Sequence, residues 1–101
     1  MRVRFTPEAL AAVREKRAWW ERQREKAPHL FVDELSAIVT KLREGADHER
    51  QKYAARSGRV IWRILMPKTR NHVYYRLDEV AAEVEIIVVW NAVAAASPRL
   101  G

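Results

Sequence analysis

Residues 86–89 (IIVV) constrain the fold more than any other stretch of this chain. β-Branched apolar residues favour strands, and an apolar run without polar alternation is typical of a strand that is buried on both faces. We therefore predict a buried strand from Glu83 to Trp90. The longest apolar stretch, residues 86–96, is interrupted by Asn91. It is much shorter than the roughly 20 residues of a membrane-spanning helix, so no membrane contact is expected.

Three further segments are predicted to be strands of the sheet. Residues 59–66 are rich in β-branched and aromatic side chains, and a turn at residues 67–71 separates them from a second strand at residues 72–77. Residues 3–5 alternate apolar and basic side chains, which predicts a short first strand. Residues 46–58 are polar and mostly basic, and we expect them to form a connection.

A first helix is predicted directly after the opening strand. Thr6 is its expected N-cap and Pro7 its first residue, because proline lacks the N–H that this position leaves unused. The segment from Arg14 to Lys26 continues it with a net-positive, solvated face. Its buried stripe is expected to contain three apolar residues at helical spacing, Leu10, Val13 and Trp20.

The second helix has the clearest amphipathic pattern of the chain. Pro28 ends the first helix, and apolar side chains then recur every three to four residues from Leu30 to Leu42, with Gly45 as the expected C-cap. The short connection predicts an antiparallel helical hairpin. The predicted fold is therefore one α+β domain over residues 1–101, β-α-α-β-β-β, with the hairpin packed on an antiparallel sheet.

Charge and the lack of cysteine limit the classes of function. The chain has 19 Lys+Arg and 13 Asp+Glu, a formal charge of +6, which favours an anionic partner such as nucleic acid or an acidic protein segment. It has no cysteine, and its three histidines lack metal-ligand spacing, so neither a metal nor another cofactor is expected. The first residues lack the apolar core of a signal peptide, which favours a cytoplasmic location.

The two strands before the apolar run carry the candidate functional residues. Side chains alternate across a strand, so His72, Tyr74 and Arg76 are expected on one face, as a proton-transfer group, a stacking ring and a cation. Arg63 lies on the preceding strand. Such a mixture suits RNA, whose bases stack on rings while its phosphates pair with arginine. The turn between the strands adds two more cations, Lys68 and Arg70.

Each of these residues also has a purely structural interpretation. Tyr74 can be a cross-strand packing residue, and His72 an ordinary surface residue. An arginine on a strand often pairs with a neighbouring glutamate, and the glutamates available to Arg63 and Arg76 are Glu83 and Glu85. The residues by themselves therefore predict a basic domain that binds RNA or protein, without a defined activity.

Three stretches of sequence match a known pattern of elements. Residues 3–9 (VRFTPEA), 71–79 (NHVYYRLDE) and 84–90 (VEIIVVW) resemble the opening strand and helix start, the Tyr-Tyr-Arg strand and the closing strand of the RelE/ParE superfamily. These proteins are toxins of bacterial type II toxin–antitoxin pairs. The resemblance extends over most of the chain, apart from residues 46–58 and the last ten residues.

The resemblance implies a small toxin that a cognate antitoxin protein neutralises in a hetero-oligomer. RelE-like members cut messenger RNA in the ribosome with strand arginines and lysines and with acid/base groups near the C-terminus, whereas ParE-like members poison DNA gyrase and lack that catalytic set. A RelE-like activity would be that of a metal-independent endoribonuclease. Its candidate catalytic residues would be Arg63, Arg76 and His72.

The segment after the last strand separates these two activities. Residues 91–101 contain no Tyr, His, Lys or Asp that could act as acid or base. We therefore expect a ParE-like growth inhibitor, with a RelE-like endoribonuclease and a non-toxic RNA- or protein-binding module as alternatives. Trp19 and Trp20 are the expected antitoxin anchors if they are exposed. The residues expected to contact nucleic acid or the target are Lys68, Arg70, Tyr74 and Asn91.

Overall fold

The described part of the chain forms two helices and five strands, which confirms the α+β class. The computed structural model describes residues 1–56 and 58–100, so Ser57 and Gly101 lie outside the described residues. The predicted order β-α-α-β-β-β fits the structure, which adds one strand after the second helix. The elements are β1 (Arg2–Phe5), α1 (Pro7–Gln23), α2 (Leu30–Glu44), β2 (Gln51–Arg56), β3 (Arg59–Met66), β4 (Asn71–Asp78) and β5 (Glu83–Asn91).

The strands form one sheet in the order β1-β5-β4-β3-β2. The β2–β3, β3–β4 and β4–β5 pairs are antiparallel, whereas β1 runs parallel to β5. The sheet is therefore mixed, and the prediction of an antiparallel sheet is wrong at β1. Both helices and three strands separate β1 from β5 along the chain, so no hairpin dictates the direction of β1.

Residues 51–56 form β2, so the prediction that they belong to a connection is wrong. β2 lies at the edge of the sheet, and a bulge between Lys52 and Ala54 interrupts its register with β3. An edge strand accommodates polar side chains, and a bulge breaks the alternation that marks a strand in sequence. These two features explain why the strand has no clear sequence signal.

The capping residues of both helices are confirmed. Thr6 Oγ1 accepts a hydrogen bond of 3.1 Å from a backbone N–H in the first turn of α1, and Gly45 ends α2 at φ 68°. Helix α1 ends at Gln23, so its predicted continuation to Lys26 is wrong. Pro28 lacks the N–H that would close the last turn of a longer helix. No helix in the described residues is long and apolar enough to cross a membrane.

The helices cover one face of the sheet and enclose the main core. On α1 the buried residue is Ala9, whereas Leu10 is 42% exposed, so the prediction that Leu10 is buried is wrong. Each residue turns about 100° around a helix, and the small Ala9 side chain occupies the position that faces the sheet. Val13 and Trp20 pack against this core as predicted. The buried residues of α2 follow its apolar pattern: Phe31, Leu35, Ile38 and Leu42.

Strand β5 is buried on both faces, as its apolar run predicts. Ile86 and Val89 are fully buried in the core under the helices. Ile87 and Val88 are each 8% exposed and belong to a second cluster on the opposite face. The register of the β4–β5 pair shifts at this point, and this irregularity places both Ile87 and Val88 on the same side.

Candidate functional site

The face of the sheet opposite the helices, here called the open face, carries the residues predicted on β3 and β4. The predicted alternation is confirmed, because Tyr74 packs with Ile61 on the open face while Val73 and Tyr75 are fully buried under the helices. His72 lies beside Tyr74, with the ring centroids 5.9 Å apart. The structure therefore brings four predicted site residues to one face: Arg63, His72, Tyr74 and Arg76.

At one end of the open face, arginines from two strands pair with glutamates of β5. Glu85 accepts a hydrogen bond from Arg4 Nη2 at 2.5 Å and another from Arg76 Nη1 at 3.0 Å. Glu83 accepts one from Arg4 Nε at 2.7 Å, and Arg2 lies 3.9 Å from the same carboxylate. These five residues are called the paired end. They confirm the structural prediction that Arg76 pairs with a glutamate of the last strand.

Strand register explains the paired end. Glu83 and Glu85 are two positions apart and share the open face, and the parallel register sets Arg4 opposite Glu85. Hydrogen bonds to the two carboxylates raise the pKa of Arg4 above its ordinary value. Arg76 also donates from Nη2 to the carbonyl oxygen of Leu100 at 3.4 Å. Its guanidinium is therefore already engaged by a carboxylate and a backbone oxygen.

At the other end of the open face, Arg63 contacts neutral groups. Its Nε donates to Gln51 Oε1 at 3.3 Å, its Nη1 donates to the Tyr74 hydroxyl at 3.5 Å, and its Cζ lies 5.1 Å from the centre of the Tyr53 ring. Among residues 1–56 and 58–100, no carboxylate oxygen lies within 4.0 Å of its guanidinium nitrogens. The predicted pairing of Arg63 with a β5 glutamate is wrong because β4 separates β3 from β5.

His72 completes the surroundings of Arg63. Burial and, to a smaller extent, the positive charge of Arg63 lower the pKa of His72 below its ordinary value. The lowered pKa favours the neutral imidazole, the form that can accept a proton. This end of the open face combines a guanidinium, a neutral imidazole and two phenol rings. With the cations of the adjacent turn it is called the basic end: Tyr53, Arg63, Lys68, Arg70, His72 and Tyr74.

The β3–β4 turn is held in place by Glu34, a residue that sequence reasoning missed. Its carboxylate accepts hydrogen bonds from the backbone N–H groups of Lys68 at 2.7 Å and Thr69 at 2.9 Å, and from the Thr69 hydroxyl at 2.7 Å. Arg70 follows with φ 61°, a left-handed conformation that costs a non-glycine residue roughly 1 kcal/mol. Glu34 thus ties the two exposed cations of the turn to α2.

The two predicted antitoxin anchors lie on α1, away from the open face. Trp19 is 43% exposed, whereas Trp20 packs against the core under the helices. Their rings meet edge to face with centroids 5.6 Å apart, and the Arg24 guanidinium lies 5.8 Å and 5.6 Å from the two ring centres. Trp19 is therefore the member of the pair that a partner can reach directly.

Residues 92–100, here called the covering segment, follow β5 without helix or strand and contact the open face. Asn91, a predicted target-contact residue, is exposed, and its Oδ1 accepts a hydrogen bond from the Val93 N–H at 2.8 Å. Trp90 Nε1 donates to the Ala96 carbonyl oxygen at 2.9 Å. Leu100 packs against the apolar cluster of the open face. Asn91 therefore supports the turn that begins this segment.

A cavity of about 590 Å³ lies beside the paired end. Four arginines and four carboxylates line it, so its charges balance and do not select an anion. In the described part of the chain, no three His, Cys, Asp or Glu side chains are grouped so that they could hold a metal ion. The cations of the basic end form no ion pair among the described residues and lie with aromatic rings, so the basic end is the better candidate site for an anionic partner.

Comparison with known proteins adds no identification. No protein-family model matches this chain, and neither a curated protein nor a solved structure matches it significantly.

Proposed function

We propose that this protein is the toxin of a type II toxin–antitoxin pair and that it inhibits growth by binding its target, as ParE-like members bind DNA gyrase. The resemblance of residues 3–9, 71–79 and 84–90 to the RelE/ParE superfamily motivates the proposal. These stretches coincide with β1 and the start of α1, with β4 and with β5, which are neighbours in the sheet. Both implied targets are cytoplasmic, so we propose the same location for this protein.

The pairing of Arg76 is the observation that supports binding over cleavage. A ribonuclease needs cations aimed at the negative charge that develops on the phosphorane. Glu85 lies 3.0 Å from Arg76 and offsets that charge. Residues 91–100 also provide no Tyr, His, Lys or Asp to protonate a leaving oxygen. A chain arranged in this way is better suited to hold a partner than to cleave RNA.

The RelE-like endoribonuclease is the second candidate, and the basic end favours it. A neutral His72 could take the proton of a ribose 2′-hydroxyl, and Arg63, which no described carboxylate neutralises, could stabilise the phosphorane. The missing component is the acid for the leaving oxygen. A basic RNA- or protein-binding module without toxicity would use the same surface through phosphate contacts and stacking.

Inducible expression in bacteria, with and without the neighbouring reading frame, separates these functions. Our proposal predicts growth arrest that the neighbouring gene relieves, with intact transcripts and altered DNA supercoiling. If transcripts are cleaved and Arg63→Gln abolishes this cleavage, the protein is a RelE-like endoribonuclease and our proposal is wrong. Absence of arrest from a folded protein would favour the binding module, whose RNA affinity would fall with salt.

We further propose that the antitoxin contacts α1 at Trp19 and presents acidic side chains to the +6 chain. Trp19→Ala is expected to weaken the purified complex at least about tenfold, since exposed aromatic anchors carry a large share of binding energy. Leu10→Ala is the matched control, because Leu10 is an equally exposed apolar residue of the same helix. Isothermal titration calorimetry measures both, and an unchanged affinity for Trp19→Ala would remove this part of α1 from the interface.

A further inference from the structure

The open face contains an apolar cluster on the side of the sheet away from α1 and α2. Ile61, Tyr74, Ile87 and Val88 are between 2% and 8% exposed, although both helices pack on the opposite face. The residues that pack against this cluster come from β2, from the end of β5 and from the covering segment, and Leu100 is the one from the covering segment. Burial of the cluster therefore depends in part on a segment outside the sheet. A cluster of this kind left bare would be an interaction surface.

A few hydrogen bonds and one apolar side chain hold the covering segment against the described residues. At its start, the Ala92 N–H donates a hydrogen bond to the Arg70 carbonyl oxygen at 2.8 Å. Beyond the turn that follows β5, two of its groups accept side-chain hydrogen bonds from described residues: the Ala96 carbonyl from Trp90, and the Leu100 carbonyl from Arg76. Residues 94–97 are exposed, and Leu100 supplies the apolar contact. Segments with few buried apolar contacts and no ladder of backbone hydrogen bonds open locally, without unfolding of the domain.

We propose that the covering segment is a displaceable strap that closes the open face. When it is docked, Leu100 shields the cluster around Tyr74, and the Leu100 carbonyl occupies one donor of Arg76. When it is released, the ring of Tyr74 and that donor become accessible while the core under the helices stays intact. Any partner of the open face then competes with the strap. This inference does not depend on the proposed toxin function.

Adjacent tyrosines on opposite faces make the proposal testable in the full chain. Tyr74 belongs to the cluster that Leu100 packs against, whereas Tyr75 is fully buried under the helices and donates a hydrogen bond to Asp47 at 2.5 Å. Leu100→Asp removes the apolar anchor of the strap. Val93→Asp is the matched control, because it introduces the same charge into the same segment at a residue that is 69% exposed.

Nitration by tetranitromethane, followed by mass spectrometry with fragment ions that separate the two tyrosines, measures the exposure of each ring. In Leu100→Asp the nitration rate of Tyr74 should rise at least about tenfold, because the reactivity of a covered group follows the population of its open form. Tyr75 in the same molecule, and Tyr74 in Val93→Asp, should keep their wild-type rates.

Two results would overturn the proposal. An unchanged rate for Tyr74 in Leu100→Asp would show that Leu100 does not hold a cover over it. An equal rise at Tyr74 and Tyr75 would show that the segment is part of the cooperative fold and does not move by itself. Thermal unfolding followed by near-ultraviolet circular dichroism distinguishes this second result from local release.

Discussion

The two ends of the open face place arginines in opposite surroundings. Arg76 lies 3.0 Å from the Glu85 carboxylate, whereas Arg63 contacts an amide, a hydroxyl and an aromatic ring. Both residues lie on neighbouring antiparallel strands and point to the same side of the sheet. The difference comes from which strand lies alongside: β4 borders β5 with its glutamates, and β3 borders β2. The paired end therefore contributes to stability, and the basic end remains available to an anionic partner.

The largest expected effect is at the paired end, for Glu85→Gln. Glu85 accepts hydrogen bonds from two arginines and is 24% exposed, so the substitution should lower the free energy of unfolding by about 1–2 kcal/mol. Urea denaturation measures the change. Glu79→Gln is the control, since Glu79 is exposed and makes no ion pair among the described residues, and it should be nearly neutral. Equal effects of both substitutions would show that the ion pairs of the paired end do not stabilise the fold.

The next effect is a gain in stability at Arg70 of the basic end. Arg70 has φ 61°, and glycine adopts this conformation without steric cost, so Arg70→Gly should raise the free energy of unfolding by about 0.5–1 kcal/mol. Ala82→Gly is the matched variant, because Ala82 has φ 52° in the β4–β5 connection and carries no charge. Similar gains in the free energy of unfolding for both variants, measured by urea denaturation, would show that the left-handed backbone conformation is the source of the strain. A gain at Arg70 alone would instead show that repulsion among the cations of the basic end is the cause.

Two arginine substitutions that remove the same charge compare the ends directly. Arg63→Gln loses weak contacts with neutral groups and should lower the free energy of unfolding by about 0.5 kcal/mol. Arg76→Gln loses its hydrogen bond to Glu85 and should lower it by about 1 kcal/mol. Urea denaturation at low and high salt measures both. A larger loss of unfolding free energy for Arg63→Gln than for Arg76→Gln would show that the basic end stabilises the fold more than the paired end does.

The smallest expected effect is the pH dependence that His72 contributes. Because burial lowers its pKa in the folded protein, the unfolded chain binds a proton on His72 more readily. The resulting stability is present above the ordinary pKa of 6.5 and is lost as the pH falls through the lower folded value. His72→Gln should therefore reduce the loss of stability between pH 7.5 and pH 5, as measured by urea denaturation across this range. A pH profile identical to that of the wild-type protein would contradict this role.

Much of the fold could be predicted from short-range patterns. The caps at Thr6 and Gly45, the apolar spacing of α2 and the alternation around Tyr74 each depend on residues within a few positions of one another. The predictions that failed lack such a local signal. β2 is an edge strand with a bulge, and Leu10 is as apolar as the residues that do face the sheet.

The candidate site could be predicted in part. The alternation of side chains assigns residues to a face of their strand, but it does not show which residues of other elements lie beside them. Alternation alone assigns His72, Tyr74 and Arg76 to one side of the sheet. The register between β3 and β4 is what sets Arg63 beside Tyr74. The supporting residue Glu34 could not be predicted, since its partners are backbone groups 34 and 35 positions away. Asp47 was likewise missed, although it is buried and accepts a hydrogen bond from the Tyr75 hydroxyl at 2.5 Å.

Local periodicity and composition are sufficient to predict the α+β class, the caps, the burial of β5 on both faces and the basic character of the chain. Only the folded arrangement shows that Arg76 is paired with a carboxylate, that Arg63 meets no carboxylate among the described residues, and that Leu100 packs against the apolar cluster of the open face. The physical reason is the separation along the chain between the groups that interact. Caps and periodicity act over a few residues, whereas charge pairing and burial act through space between segments that strand order brings together.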